Sequence, residues 1–173
     1  MNKDEQKSSL EKKILNELVQ NCRANLDEIG KKCGCSRYKV GRVIKKLEEN
    51  KTIIGYSAII DPRKLNQNYY LLLIKRTPLP LTNDITKFAC RGKVTDLFPN
   101  IDVDFVDSMY INGYYDFIIT FTANSIVKAK EFCNRMLENY NPYIEKTELL
   151  EMVMPFRLER IRVYQLEEKS KIL

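Results

Sequence analysis

Between Leu26 and Leu47 the chain reads LDEIGKKCGCSRYKVGRVIKKL, and few folds accept such a run. Leu26, Ile29 and Cys33 recur at the spacing of one helical face. Gly34 suits the left-handed residue that ends a helix, and Ser36 suits the cap that opens the next by accepting hydrogen bonds from its free amides. Two helices joined by a tight turn, a helix-turn-helix, are therefore expected over about 26–45.

At ~100° per residue, Val40, Val43, Ile44 and Leu47 form an apolar stripe on the second helix, while Tyr38, Arg42, Lys45 and Glu49 lie opposite. No Asp or Glu occurs from Ile29 to Leu47, whereas Lys31, Lys32, Arg37, Lys39, Arg42, Lys45 and Lys46 all do. A run of that sign attracts phosphate, and Gly41 beside the exposed face would let the helix approach a partner closely. Were the phosphate that of duplex DNA, Ser36, Arg37, Tyr38 and Lys39 at the N-terminal end of the helix would be the residues expected to reach base edges, and Arg42, Lys45 and Lys46 would be expected to add base or phosphate contacts. This reading requires Tyr38 and Arg42 to stay exposed.

Charge distribution agrees. Residues 1–60 hold 13 Lys+Arg against 8 Asp+Glu, and residues 61–173 hold 16 against 15, so the basic excess of the 173-residue chain sits with the helix-turn-helix. There is no histidine, which removes the commonest general base and most zinc enzyme sites. The five cysteines form an odd set without a second ligand pair at metal spacing, so reduced and mostly packed thiols are expected, with no metal or other cofactor. The polar start MNKDEQKSSLEKK has no signal-peptide pattern and no apolar run is long enough to span a bilayer, so a cytoplasmic protein is expected.

Taken in order, residues 1–8 read as polar and frayed. Leu10, Ile14, Leu15, Leu18 and Val19 predict a first helix from Ser9 to about Asn21 that packs across the next two. β-Branched residues between Thr52 and Ile60 predict a strand, which makes residues 1–60 a winged helix-turn-helix domain with a minimal wing. Asp61-Pro62 stops that strand, and 61–68 reads as a linker. Beyond it, Tyr69–Ile74 is a continuous apolar run suited to a strand buried on both faces. A helix is expected over 85–98, a hairpin around Asn112–Asp116, a helix capped by Asn124 or Ser125 that packs through Ile126, Ala129, Cys133, Met136 and Leu137, and a last strand from Ile144 to Met154. The order βαββαβ over 69–154 predicts a ferredoxin-like domain, giving an α+β protein overall. The uncovered sheet face would require a partner, and a homodimer through the sheets is expected. Residues 155–173 form an extension that fits helix and strand about equally.

The run Ile14–Leu18, Arg23, Glu28-Ile29, Gly34, Ser36, Lys45–Glu48, Ile53, Gly55-Tyr56 and Asp61-Pro62 resembles the head of the leucine-responsive/asparagine regulator (Lrp/AsnC) family of transcription factors. Gly113-Tyr114-Tyr115-Asp116 resembles the G-x-x-D turn in that family's ferredoxin-like domain. Three departures stand out: Lys7-Ser8 replaces the usual Leu-Asp, the arginine in the middle of the family's recognition helix falls on Val43, with Arg42 one place earlier, and the tail beyond Met154 is longer than usual for the family and inherits no role from it. The resemblance implies a homodimer, often built into tetramers or octamers, that binds double-stranded DNA with paired heads as a sequence-specific transcriptional regulator. It also implies an amino acid or other small metabolite as effector near Gly113, Tyr115 and Asp116. Sirohaem decarboxylases resemble the family in both halves and offer an enzymatic alternative, against which the missing histidine counts. An architectural DNA-binding protein is the other, against which the modest head charge counts.

Overall fold

Lys3–Gln20 form α1, Leu26–Cys33 α2 and Arg37–Glu49 α3 in the computed structural model, which describes residues 3–83, 86 and 98–163. α1 begins well before Ser9, so the expectation of a frayed start is corrected: residues 3–8 are mostly Lys, Glu and Gln, whose backbones favour helix by intrinsic propensity. Asn25 caps α2 by accepting the Glu28 amide at 2.9 Å, with Asp27 and Glu28 in the first turn where carboxylates oppose the helix dipole. Gly34 ends α2 at φ 69°, and Ser36 Oγ accepts the Lys39 amide to open α3. Ile14, Leu18, Ile29 and Val40 bury against one another as the core of the three helices.

The strand expected over Thr52–Ile60 does not form. The Ile53 amide donates to the Leu47 carbonyl at 2.9 Å and the Tyr56 hydroxyl to Glu48 at 2.9 Å, so this stretch is tied to the end of α3. Ile54 is left 92% exposed. β-Propensity makes a strand only where a ladder partner exists, and no strand among the described residues pairs with it.

The chain divides into two compact units, Met1–Ala58 and Ile59–Leu173. Residues 61–68 are held to the second: Asp61 caps a short 3-10 turn at Pro62–Leu65, Pro62 is buried, and the Thr122 hydroxyl donates to Gln67 at 2.7 Å.

Four strands, β1 (Asn68–Arg76), β2 (Val103–Tyr110), β3 (Phe117–Ala123) and β4 (Ile144–Glu151), form an antiparallel sheet in the order β2-β3-β1-β4, the ferredoxin-like order. α4 (Ile126–Tyr140), capped by Ser125, covers one face. Tyr70, Leu72, Ile74, Ile119 and Phe121 meet Ala129, Phe132, Cys133 and Met136 there. Phe132, missed in the helical stripe, is fully buried edge-on to Phe98, Phe105 and Phe121, whereas Ile126 is 40% exposed at the helix start. β1 is buried on this face alone. Leu71 and Leu73 are only half-buried, which corrects the expectation of burial on both sides. β4 stops at Glu151 rather than Met154. The helix expected over 85–98 lies outside the described residues, apart from Thr86 and Phe98. Residues 157–162 form a small hairpin, β5 (Arg157–Leu158) with β6 (Ile161–Arg162).

Candidate nucleic-acid interface and effector turn

α3 is positioned by a close approach at Gly30, with Gly41 also facing α2. A Cβ on Gly30 would stand 2.6 Å from the Cys35 carbonyl oxygen, so the turn closes against α2 only because no side chain is there. Gly41 faces Leu26 of α2, whose Cδ1 would lie 3.4 Å from an added Cβ. That is ordinary van der Waals contact, so the packing of α2 on α3 does not require glycine at this position. Cys33 and Cys35 pack half-buried against the head core, and burial, then the neighbouring Cys35, holds the Cys33 thiol above its ordinary pKa. Such a thiol stays protonated at neutral pH. Cys22, in contrast, is exposed rather than packed.

Along the outer side of α3 the basic residues differ in their company. Tyr38 is 83% exposed, with the Arg37 guanidinium 5.9 Å from its ring centre. Arg37 also reaches Asp27 of α2 at 3.4 Å, Lys45 reaches Glu49 at 3.9 Å, and Lys46 reaches Glu11 of α1 at 2.8 Å. Lys32 of α2 is bonded to Glu17 of α1 at 2.6 Å, and that hydrogen bond raises its pKa. The run lacks carboxylates in sequence, but in space neighbouring elements supply them. Among the described residues, Lys39 and Arg42 have no ionic partner and both are exposed.

At the other candidate site, Asp116 is engaged within its own fold. Its Oδ2 accepts the Arg76 amide at 2.8 Å and lies 3.4 Å from Lys75 Nζ. Its own amide donates to Ile74 and its carbonyl accepts from Ile111. The Arg76 amide chiefly, with help from Lys75, holds the Asp116 carboxyl below its ordinary pKa. The Tyr115 hydroxyl donates to Glu148, which pushes its pKa up to about 12. Tyr114 places its ring about 6 Å from both Lys75 and Lys146. Gly113 is open on all sides and does not adopt a positive φ, so the turn does not need glycine for backbone reasons.

No helix among the described residues is long and apolar enough to cross a membrane, and none of their Cys, Asp and Glu side chains gather in a group of three or more able to hold a metal.

Residues 9–48 match the model of the AsnC-type helix-turn-helix domain. A relative described as an uncharacterized HTH-type transcriptional regulator, YugG of Bacillus subtilis, is 31% identical over 79% of this chain and 80% of its own. The regulator LrpB of Bacillus subtilis is 25% identical over 82% of this chain and 89% of its own. Among solved structures, a transcriptional regulator from Neisseria meningitidis crystallised with L-Met superposes with a TM-score of 0.67 over 98% of this chain and 99% of that one, at 15% identity. That last likeness is one of fold alone.

Proposed function

This chain belongs to the Lrp/AsnC family of transcription regulators, and from that premise we propose that α3 reads duplex DNA chiefly through Tyr38, Lys39 and Arg42. The observation that carries this reading is a pair of cations, unpartnered among the described residues, beside an 83% exposed tyrosine on the second helix of a helix-turn-helix. Unpaired Lys39 and Arg42 meet phosphate or base edges without first giving up a carboxylate. Ser36, Arg37, Lys45 and Lys46 add contacts of which three require an exposed ion pair to exchange its partner. Such pairs are worth at most ~1 kcal/mol each, so the exchange is readily offset.

Two heads are brought together by a homodimer formed through the sheet face that α4 leaves uncovered. Leu71, Leu73, Ile118, Met109 and Leu150 lie in register across that face, and Leu150 and Met109 are 42% and 45% exposed. The turn at Gly113–Asp116 is the place for an amino acid or similar small effector, by analogy with a neighbour solved with L-Met. Asp116 already serves the hairpin, and Lys75 and the Tyr115 hydroxyl are held by Asp116 and Glu148, so exposed Lys146 and Tyr114 carry the polar recognition there. The protein acts in the cytoplasm as a regulator without a reaction of its own.

Selection of bound duplexes from a random pool, with and without a mixture of amino acids, tests the reading. A palindrome with half-sites one helical turn or a multiple apart is expected. Unchanged affinity in an Arg37/Arg42/Lys46 triple alanine variant would remove α3 as the reading surface.

A further inference from the structure

The described chain ends in a two-residue-per-strand hairpin whose construction is costly. Arg157 stands directly opposite Arg162, and Leu158 opposite Ile161. Like charges facing each other across a ladder destabilise it. Glu159 and Arg160 form the turn at φ 43° and 71°, where L side chains are strained and where Asn or Gly would be the easy choice. The base is closed by the Val163 amide donating to Phe156 at 3.3 Å, and Arg157 Nη1 donates to the Arg160 carbonyl at 3.4 Å. All three arginines are exposed, and among the described residues none is ion-paired. The hairpin's single carboxylate, Glu159, lies near Tyr69 of β1, where it adds to the effect of burial in raising that phenol's pKa.

We propose that Arg157, Arg160 and Arg162 form a second DNA contact, a guanidinium cluster that binds backbone phosphates outside the helix-turn-helix. The inference rests on the reading of the chain as a DNA-binding regulator. Guanidinium forks match phosphate oxygens in pairs, and an anion set between Arg157 and Arg162 relieves the repulsion that the ladder imposes. The ribbon is too short to lie along a groove and read bases, so its contribution is independent of sequence.

Titrating the full-length protein with a selected operator and with an unrelated duplex, across a salt series, tests this. Arg157→Gln/Arg160→Gln/Arg162→Gln should melt no lower than the parent, since the facing like charges are removed, lose affinity for both duplexes by the same factor of ~10 or more at low salt, and flatten the log K against log[salt] slope by ~0.9 for each phosphate no longer neutralised. Preference between the duplexes should not change. Replacing the same three residues by lysine should retain most of the slope, since the charge remains. The proposal is overturned if the glutamine variant matches the parent while a Lys39→Ala/Arg42→Ala variant loses binding, which leaves the regulator reading intact. It is overturned equally if the glutamine variant changes sedimentation mass, for then the hairpin holds a second copy of this chain. Absence of duplex binding by the parent at any salt sinks the wider reading together with this one.

Discussion

A methyl group at Gly30 has nowhere to go, whereas one at Gly41 meets only the mobile end of Leu26. The two alanine variants should therefore move stability in opposite directions. Gly30→Ala forces the Cys35 carbonyl away and should cost about 1–3 kcal/mol, seen as a lower urea midpoint at constant slope. Gly41→Ala lies in a helix interior and should gain up to ~1 kcal/mol from helix propensity. Nothing local to the sequence separates these glycines. Gly34, by contrast, is legible, because a left-handed cap between two helical stripes is a local demand. Gly113 is not, since its turn is closed by the ladder bonds of Asp116. A second prediction concerns that aspartate. Its pKa is depressed in the folded chain, so the stability it contributes is fully present above the unfolded value of about 3.9 and is lost as pH falls through the depressed folded value. Asp116→Asn should lower the melting temperature at pH 7, and the gap to the parent should close as the pH drops below about 4.

At the scale of the element, α3 owes its useful charge to what α1 and α2 leave free. Glu11 and Asp27 occupy Lys46 and Arg37, and neither pairing shows in a run of residues free of acids, because Glu11 is distant in sequence and becomes a neighbour only when α1 crosses α3. The faces of α3 are readable from period alone, and Val40 and Leu47 are buried as the stripe requires. The contrast between free and paired cations orders the expected losses. Arg42→Ala should weaken operator binding more than Lys46→Ala in gel shifts at equal salt, because any contact Lys46 makes to DNA is already offset by the Glu11 pairing it must give up. Glu11→Gln should strengthen binding by a few-fold, within the ~1 kcal/mol that an exposed pair is worth. The strand missing after Thr52 fails for the opposite reason: its residues favour extension, but a ladder needs a second strand, and the segment is instead tied back to α3 by Ile53 and Tyr56.

For the whole molecule the unsettled surface is the sheet face away from α4. Alternation in β1 puts Tyr70, Leu72 and Ile74 against the helix and leaves Leu71 and Leu73 on the other side, joined in register by Ile118 and Thr120 of β3 and Leu150 of β4. An apolar continuous run hides which side is covered by the chain's own helix, and taken alone it suggests burial on both. The half-exposed leucines give the second side a use that a monomer does not supply. If two chains meet there, a charge at the centre of the face is desolvated without a partner and costs several kcal/mol on each side of a twofold interface. Leu71→Glu, whose cross-strand neighbours Thr120 and Leu150 are uncharged, should then sediment as a folded monomer, with circular dichroism unchanged because the α4 side of the sheet is untouched. A monomer delivers one head at a time, so operator affinity should fall by two orders of magnitude or more, about the gain that tethering a second site provides, while affinity for an isolated half-site stays the same. A variant that remains dimeric and keeps full operator affinity would place the pairing surface elsewhere on the chain.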